Sequence, residues 1–453
     1  MTRKLATALV GACSLLALTP AIAHAQALSA EEAAALRAEV DALKAQLGAM
    51  EARLNSISAK TDANSSAIAA VPPPAPAPET TIKWKGAPEL STKDGWSFKV
   101  RGRLQLDSAY VDAPDGITAG GLGYSTEVRR ARLGVEGGMP GGFGYKFEAD
   151  FADNGVEIVD AILSYTDKGL TIAAGQHNGF QSLEELTSSR FSSFMERAAF
   201  TDAFNFERRV GLSATVTSGD LLLSGGVFSD NIEDLTSDSN NSYGFDGRAV
   251  WAPKMGDTQL HLGGSAHWRD FADAATTARY RQRPFVHGAD VRFIDTGSVS
   301  AEGELNYGLE AAMIRGPLHF AAEANWLRTR RPGLADPTFF GGYAEVGYFL
   351  TKGDSRGYKA GIFDRVKPSN SVAKGGMGAL QVNLRYDYLD LIDAGIVGGT
   401  QNGYAASLIW TPIDYVRFMI NYGHMEYDRA ALTAGGDDSY SADVIGARAQ
   451  IDF

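Results

Sequence analysis

The chain ends in DVIGARAQIDF, residues 443–453, and this stretch decides the fold. Ile445, Ala447, Ala449, Ile451 and Phe453 fall on one side; Val444, Gly446, Arg448, Gln450 and Asp452 fall on the other. Alternation of period two with one apolar face marks a strand between two different solvents. The pattern recurs upstream. Phe98, Val100, Gly102, Leu104 and Leu106 alternate with Lys99, Arg101, Arg103, Gln105 and Asp107, and Phe320, Ala322, Ala324 and Trp326 alternate with His319, Glu323 and Asn325. A soluble sandwich also alternates, but here Tyr110, Tyr165, Trp251, Trp268, Trp326, Tyr348 and Trp410 sit near strand ends, as an interfacial girdle requires. At roughly 22 residues per strand and connection, residues 96–453 give about 16 strands, an even number enclosing a water-filled lumen. The expected fold is all-β, a transmembrane antiparallel β-barrel.

The other end agrees. Arg3 and Lys4 precede an apolar run from Leu5 to Leu18, and Ala23-His24-Ala25 offers a cleavage site. Residues 1–25 therefore read as a secretory signal peptide, too short to span a membrane. Val10-Gly11-Ala12-Cys13 has the outline of a lipoprotein box, but most of the apolar run follows Cys13, which argues against lipidation. Cleavage at Ala25 removes the one cysteine, so disulfides and thiolate metal sites are excluded and no cofactor is expected. A net charge of −12 argues against a nucleic-acid partner. A closing strand that ends on an aromatic resembles the assembly signal of bacterial outer-membrane barrels. That likeness implies outer-membrane lipid and the barrel-assembly machinery as partners, in a Gram-negative cell.

Between signal and barrel the repeat is helical, over 28–71. Leu36, Val40, Leu43, Leu47, Met50, Leu54, Ile57, Thr61, Asn64, Ile68 and Val71 step by four and three, a heptad seam that predicts a self-associating coiled coil. Ser29 and Glu32 stand at capping-box spacing at its start. Thr61 and Asn64 in the seam lower stability and fix register or strand number. An amphipathic helix lying on its own barrel is the blander alternative. Val71-Pro72-Pro73-Pro74-Ala75-Pro76-Ala77-Pro78 then opens an extended linker over 72–95, which lets the coil stand in the periplasm.

One stretch does not alternate, 176–209, lying between strand candidates 170–175 and 210–216. Ser182 and Glu185 again have capping-box spacing there. So long an insertion in a barrel folds outward or into the pore. Its segment SLEELTSSRFSSFMERAAFTDAF (182–204), the strand Arg129-Arg130-Ala131-Arg132-Leu133-Gly134 and the opening strand 98–106 together resemble the phosphate-selective porin O and P family. The resemblance implies a 16-stranded homotrimeric outer-membrane channel, with this loop folded inward as a constriction and basic residues binding the passing anion. By position in the family pattern, Arg103 and the pair Arg129–Arg130 match basic wall residues of the constriction.

Arginine forks match phosphate oxygens and lysine supplies a point charge; in a narrow lumen, like charges focus the field on counter-ions. Alternation turns Lys99, Arg101, Arg103, Arg130 and Arg132 to the lumen and Arg129 outward. Arg190 and Arg197 are the loop candidates, and Arg208 and Arg209 stand where the loop rejoins the wall. Against them stand wall acids such as Asp107, Glu148 and Asp150, and the loop's own Glu184, Glu185, Glu196 and Glu207. The residues therefore leave two selectivities open, phosphate or polyphosphate and general small-solute diffusion, since a charge ring decides by its net sign. An enzyme is not expected: His177, His261, His267, His287, His319 and His424 sit in no motif with a nucleophile, and no phosphate loop or nucleophile elbow appears. A structural envelope tether, coil plus barrel, is the remaining alternative.

Overall fold

A computed structural model describes residues 29–69, 80–152, 155–234 and 241–453. The signal peptide expected over 1–25 and the proline run Val71–Pro78 lie outside the described residues. Two units emerge, and each stands by itself.

The first is one helix, α1 (Ala30–Ala69). Its start is a true capping box: Glu32 N donates to Ser29 Oγ at 3.3 Å, and Ser29 N donates to Glu32 Oε2 at 3.1 Å. The seven seam residues from Leu36 to Ile57 are each between 43% and 68% exposed.

The second unit is a closed antiparallel barrel of 16 strands. In chain order they are β1 (Ser97–Asp112), β2 (Gly123–Gly138), β3 (Phe143–Asp150), β4 (Glu157–Asp167), β5 (Leu170–Asn178), β6 (Arg208–Ser218), β7 (Leu221–Phe228) and β8 (Tyr243–Trp251). Then follow β9 (Thr258–Asp270), β10 (Gly303–Arg315), β11 (Leu318–Arg330), β12 (Thr338–Phe349), β13 (Ala379–Asp393), β14 (Ile396–Ile413), β15 (Val416–Asp428) and β16 (Tyr440–Asp452). The strand read from the last residues closes the barrel: β16 pairs with β1 from Asp443↔Asp112 to Asp452↔Arg103. Phe453 and Gly102 extend that seam by exchanging both backbone hydrogen bonds at 3.0 Å. The terminal ring lies across Gly102, where an added Cβ would sit 2.1 Å from Phe453 Cζ. Along β16 the faces are as alternation requires, with Val444, Arg448, Gln450 and Asp452 buried inside and Ile445 and Ile451 exposed to the outside.

Alternation fails at one place that matters. Gln105 pairs with Arg130, but the next residue, Leu106, pairs with Val128. Arg129 is the extra residue of a β-bulge, and it turns inward beside Arg130 instead of outward as strict alternation expects. A bulge re-aims side chains without any change of composition, so periodicity alone cannot reveal it.

The linker expectation to residue 95 is also corrected. Thr81–Lys85 and Ala87–Ser91 form a hairpin whose second strand pairs on β1 from Glu89↔Lys99 to Ser91↔Ser97. Lys83 and Lys85 alternate with Ile82 and Trp84, so the hairpin carries the two-faced pattern of the wall beyond the end of β16.

Three segments fill the interior, not one. The non-alternating stretch begins later and ends earlier than read, at 179–207, because His177↔Arg209 and Asn178↔Arg208 are paired strand residues. Within it lie two short helices, α2 (Leu183–Leu186), capped by Ser182, and α3 (Ala199–Ala203). Between β9 and β10, residues 271–302 bring Tyr280, Val286, Phe293 and Ile294 into one buried cluster. That cluster includes Phe200 and Phe204 of the first loop and lumen-facing Val111, Leu389, Met425 and Val444 of the wall. From the opposite end, residues 350–378 reach in, where Phe363 N donates to Thr187 Oγ1 at 3.3 Å. Neither of these two segments carries a periodic signal in the sequence.

Candidate functional site

Loop 179–207 is fastened to the wall by buried ion pairs. Arg448 of β16 donates to Asp107 of β1 at 2.6–2.7 Å, to Glu196 at 2.9 Å and to the Met195 carbonyl at 2.6 Å. Arg129 grips the same Glu196 through Nε and Nη2 at 2.9 and 3.1 Å. On the far wall Arg385 bridges Glu184 of the loop and Glu345 of β12, the latter at 2.6 Å. Glu323 of β11 accepts the amides of Leu183 and Glu184 at 2.9 and 2.8 Å, so both start-of-helix donors of α2 are satisfied by the wall. These bonds explain why the loop holds one position inside the barrel.

They also dispose of its acids. Glu184 and Glu196 face wall arginines, and Glu207 pairs with Arg209 at 2.9 Å and Arg269 at 3.4 Å. Only Glu185 is left facing the space between loop and the β1–β6 wall.

That space is a cavity of about 310 Å³. Eight basic side chains line it, Arg101, Arg103, Arg130, Arg132, Lys146, Arg190, Arg197 and Arg208, against three carboxylates, Glu148, Asp160 and Glu185. Glu148 is shared by Arg103 at 3.6 Å and Arg132 at 3.5 Å, and Asp160 is shared by Arg208 at 3.0 Å and by Lys146. Arg132 also reaches Asp150 at 2.7 Å, and Arg190 reaches Asp452 at 3.6 Å. Arg197 is engaged by the loop's own carbonyls of Glu184, Glu185 and Thr187 at 2.9–3.0 Å, and by Glu185 Oε2 at 3.2 Å. Arg130 differs from all of these. It is 7% exposed, its guanidinium donates to the amide oxygen of Gln105 at 3.0 Å, and no ion pair joins it to any carboxylate among the described residues. A buried cation without a counter-ion is costly unless an anion from solution supplies the charge.

Two further cavities abut this one. A space of about 230 Å³ shares Glu185, Arg197 and Arg208 with it and adds Arg129, Arg283 and His287 with Glu196 and Asp202; a third, of about 660 Å³, shares Lys146 and adds Lys85 and Lys99 with Glu89 and Glu136. Of the ten residues singled out in the sequence, seven therefore meet in the central cavity, while Arg129 and Lys99 line its two neighbours. Arg209 lines none of the three; it turns to Glu207 and, at 3.8 Å, Glu304. The sequence reading passed over Lys146, Lys85 and Arg283 as lining residues. Lys146 stood on the polar face of an alternating strand and could have been found. Lys85 lay in the supposed linker, and Arg283 in a segment without pattern. Guanidinium and ammonium groups lining adjoining cavities can offer an oxyanion one donor set after another.

The geometry matches known proteins. The family model for phosphate-selective porin O and P matches residues 98–453. A Caulobacter vibrioides protein, itself described only as uncharacterised, is 48% identical over the whole of this chain and 96% of its own length. Among solved structures, the anion-selective porin from Comamonas acidovorans superposes with a TM-score of 0.52 at 12% identity, over 79% of this chain and 100% of that one. OmpT, an outer membrane protein of Vibrio cholerae, gives 0.52 at 10% identity, over 80% and 99%. Those two likenesses concern the fold. The chain belongs to the phosphate-selective porin O and P family, and its 16-strand barrel is that of an outer-membrane porin.

Proposed function

We propose that the barrel conducts small anions passively, phosphate or polyphosphate in preference, with loop 179–207 as the constriction. The observation that carries this reading is the surplus of eight basic side chains over three acidic ones in the central cavity, with Arg130 left uncompensated. Low-dielectric walls strengthen that surplus field and concentrate counter-ions in the lumen. Wall and loop arginines offer bidentate forks on several sides, and each is held by carboxylates or carbonyls that keep it oriented. Cavities that share residues provide sites in series, so that no single site needs to bind tightly enough to stop the current. The lysines at the end nearest Phe453 lack forks and release more readily than the arginines above them. No bond is made or broken.

The same reading makes the functional unit a trimer. The exposed heptad seam of α1 calls for partners, and the OmpT fold neighbour is described in a trimer form. The coil then stands in the periplasm, and the strand ending at Phe453 is the part offered to the assembly machinery. Planar-bilayer recording tests the proposal. In a KCl gradient the reversal potential should be that of an anion channel, and phosphate should reduce the chloride current. A cation-selective potential, or current indifferent to millimolar phosphate, removes it. A general small-solute pore would show a weak potential and no phosphate effect. A tether would detach the envelope on deletion of 28–78 with conductance unchanged.

A further inference from the structure

Outside the three cavities, a second group of arginines lies where the segment 350–378 meets loop 179–207. Arg356 is 5% exposed, and none of its three nitrogens is hydrogen-bonded to protein; Nε and Nη1 are fully buried without a partner. Its one contact of note is the face of Phe363, 4.6 Å from Cζ to the ring centroid. That stacking leaves the in-plane N–H groups unused. Arg417 of β15 is also 5% exposed. It donates to the carbonyls of Arg190 and, at 2.8 Å, Ser192, and its Nε is a second buried orphan. Both guanidinia abut the same stretch of the loop, Arg356 through Phe363, whose amide donates to Thr187 Oγ1, and Arg417 through the carbonyls of Arg190 and Ser192.

The acids near them are already engaged. Glu345 accepts from Arg385 at 2.6 Å and from Ser193 at 2.7 Å. Glu184 accepts from Arg385 and from the Ala198 amide at 2.8 Å. Asp452 is held by Arg365 and Arg190. Of the guanidinia here, Arg190, Arg365 and Arg385 are ion-paired, whereas Arg356 and Arg417 have no ion pair among the described residues and both carry buried N–H groups without a partner. Ordered water could satisfy the donors, but it would leave two like charges uncompensated in a buried place.

We propose that a small inorganic anion sits between Arg356 and Arg417 as a resident part of the fold, distinct from the conducted ions. It ties segment 350–378 to loop 179–207, so its role is to hold the constriction in place and not to conduct. The expectation goes beyond the conduction pathway and does not depend on phosphate selectivity.

The test uses the full-length protein in detergent. Crystals soaked in bromide should show an anomalous peak in contact with both guanidinia, and the peak should persist at millimolar bromide. In solution, chloride titrated against gluconate at constant ionic strength should raise the unfolding midpoint. Arg356→Gln should abolish the peak and lessen that shift, while Arg130→Ala, in the main cavity, should keep the peak. Refined water at the site, binding at crystal concentration only, or an unchanged shift in Arg356→Gln overturns the proposal. The bromide peak in the parent protein needs no variant, so a failure of Arg356→Gln to fold does not rescue it.

Discussion

Arg130 is the residue whose loss should reveal what the cavity binds. Its guanidinium is held by the amide oxygen of Gln105, 3.0 Å away, and by no carboxylate, so removing it uncovers no acid. Gln105 keeps its bonds to Gln450 at 2.7 Å and the Ser189 carbonyl at 3.3 Å. Arg130→Ala therefore subtracts one positive charge and one fork while leaving the wall intact. Hydrogen bonds to a charged group contribute about 1.5–3 kcal/mol, which is about 10- to 150-fold in a half-blocking concentration. The cavity still holds seven basic side chains against three acids, so the sign of the reversal potential should not change. Arg130→Lys keeps the charge without the fork and should fall between parent and alanine. Bilayer recordings at fixed KCl with stepped phosphate give both quantities from one membrane. Half-block in Arg130→Ala within twofold of the parent would refute the assignment of this arginine to the anion site.

Other positions separate conduction from construction. Glu184→Ala leaves buried Arg385 with Glu345 alone and orphans the Ala198 amide. Breaking a buried pair should cost about 3–5 kcal/mol, and the loosened loop should appear as open-channel noise; a quiet channel of parental stability would show that the latch is dispensable. Arg132→Ala should weaken anion selectivity more than Arg130→Ala, because it leaves Asp150 without its arginine and Glu148 with Arg103 alone; reversal potentials of the two variants give the order. Gly102→Val places carbon where the Phe453 ring lies, so folding into detergent or lipid should slow, read as the heat-modifiable band shift on gels. A peptide of residues 29–70 should sediment as an oligomer, and Leu47→Glu with Leu54→Glu should return it to monomer; a parent peptide that is already monomeric removes the coil.

How far the sequence reached follows from what kind of signal each feature leaves. Strands alternate within themselves, so the terminal strand and the opening strand were legible residue by residue, and 16 strands followed from length. The capping signals at Ser29–Glu32 and Ser182–Glu185 are local in the same sense: the first forms a reciprocal box, and Ser182 caps α2 through the Glu185 amide. Segments 271–302 and 350–378 are held by contacts with residues a hundred or more positions away, such as His287 Nδ1 with Glu127 at 2.8 Å. No local periodicity encodes that. The hairpin at 81–91 was hidden because a proline run upstream set the reading of everything before residue 96.

Composition is a poor guide to the lining of a channel. A chain of net charge −12 encloses a cavity with a basic surplus. The loop's carboxylates looked able to neutralise its arginines, since Glu184, Glu185, Glu196 and Glu207 lie close to Arg190 and Arg197 in sequence. Folding turns two of them away, Glu184 to Arg385 and Glu196 to the pair Arg129 and Arg448, all on the wall, while Glu185 stays on Arg197. The same bonds that fix the loop thus keep Glu184 and Glu196 out of the central cavity, where Arg130 has no carboxylate partner among the described residues. One bulged residue completes the arrangement. Were Arg129 and Arg130 on opposite faces, Glu196 would lose one of its two grips and be left to Arg448 alone.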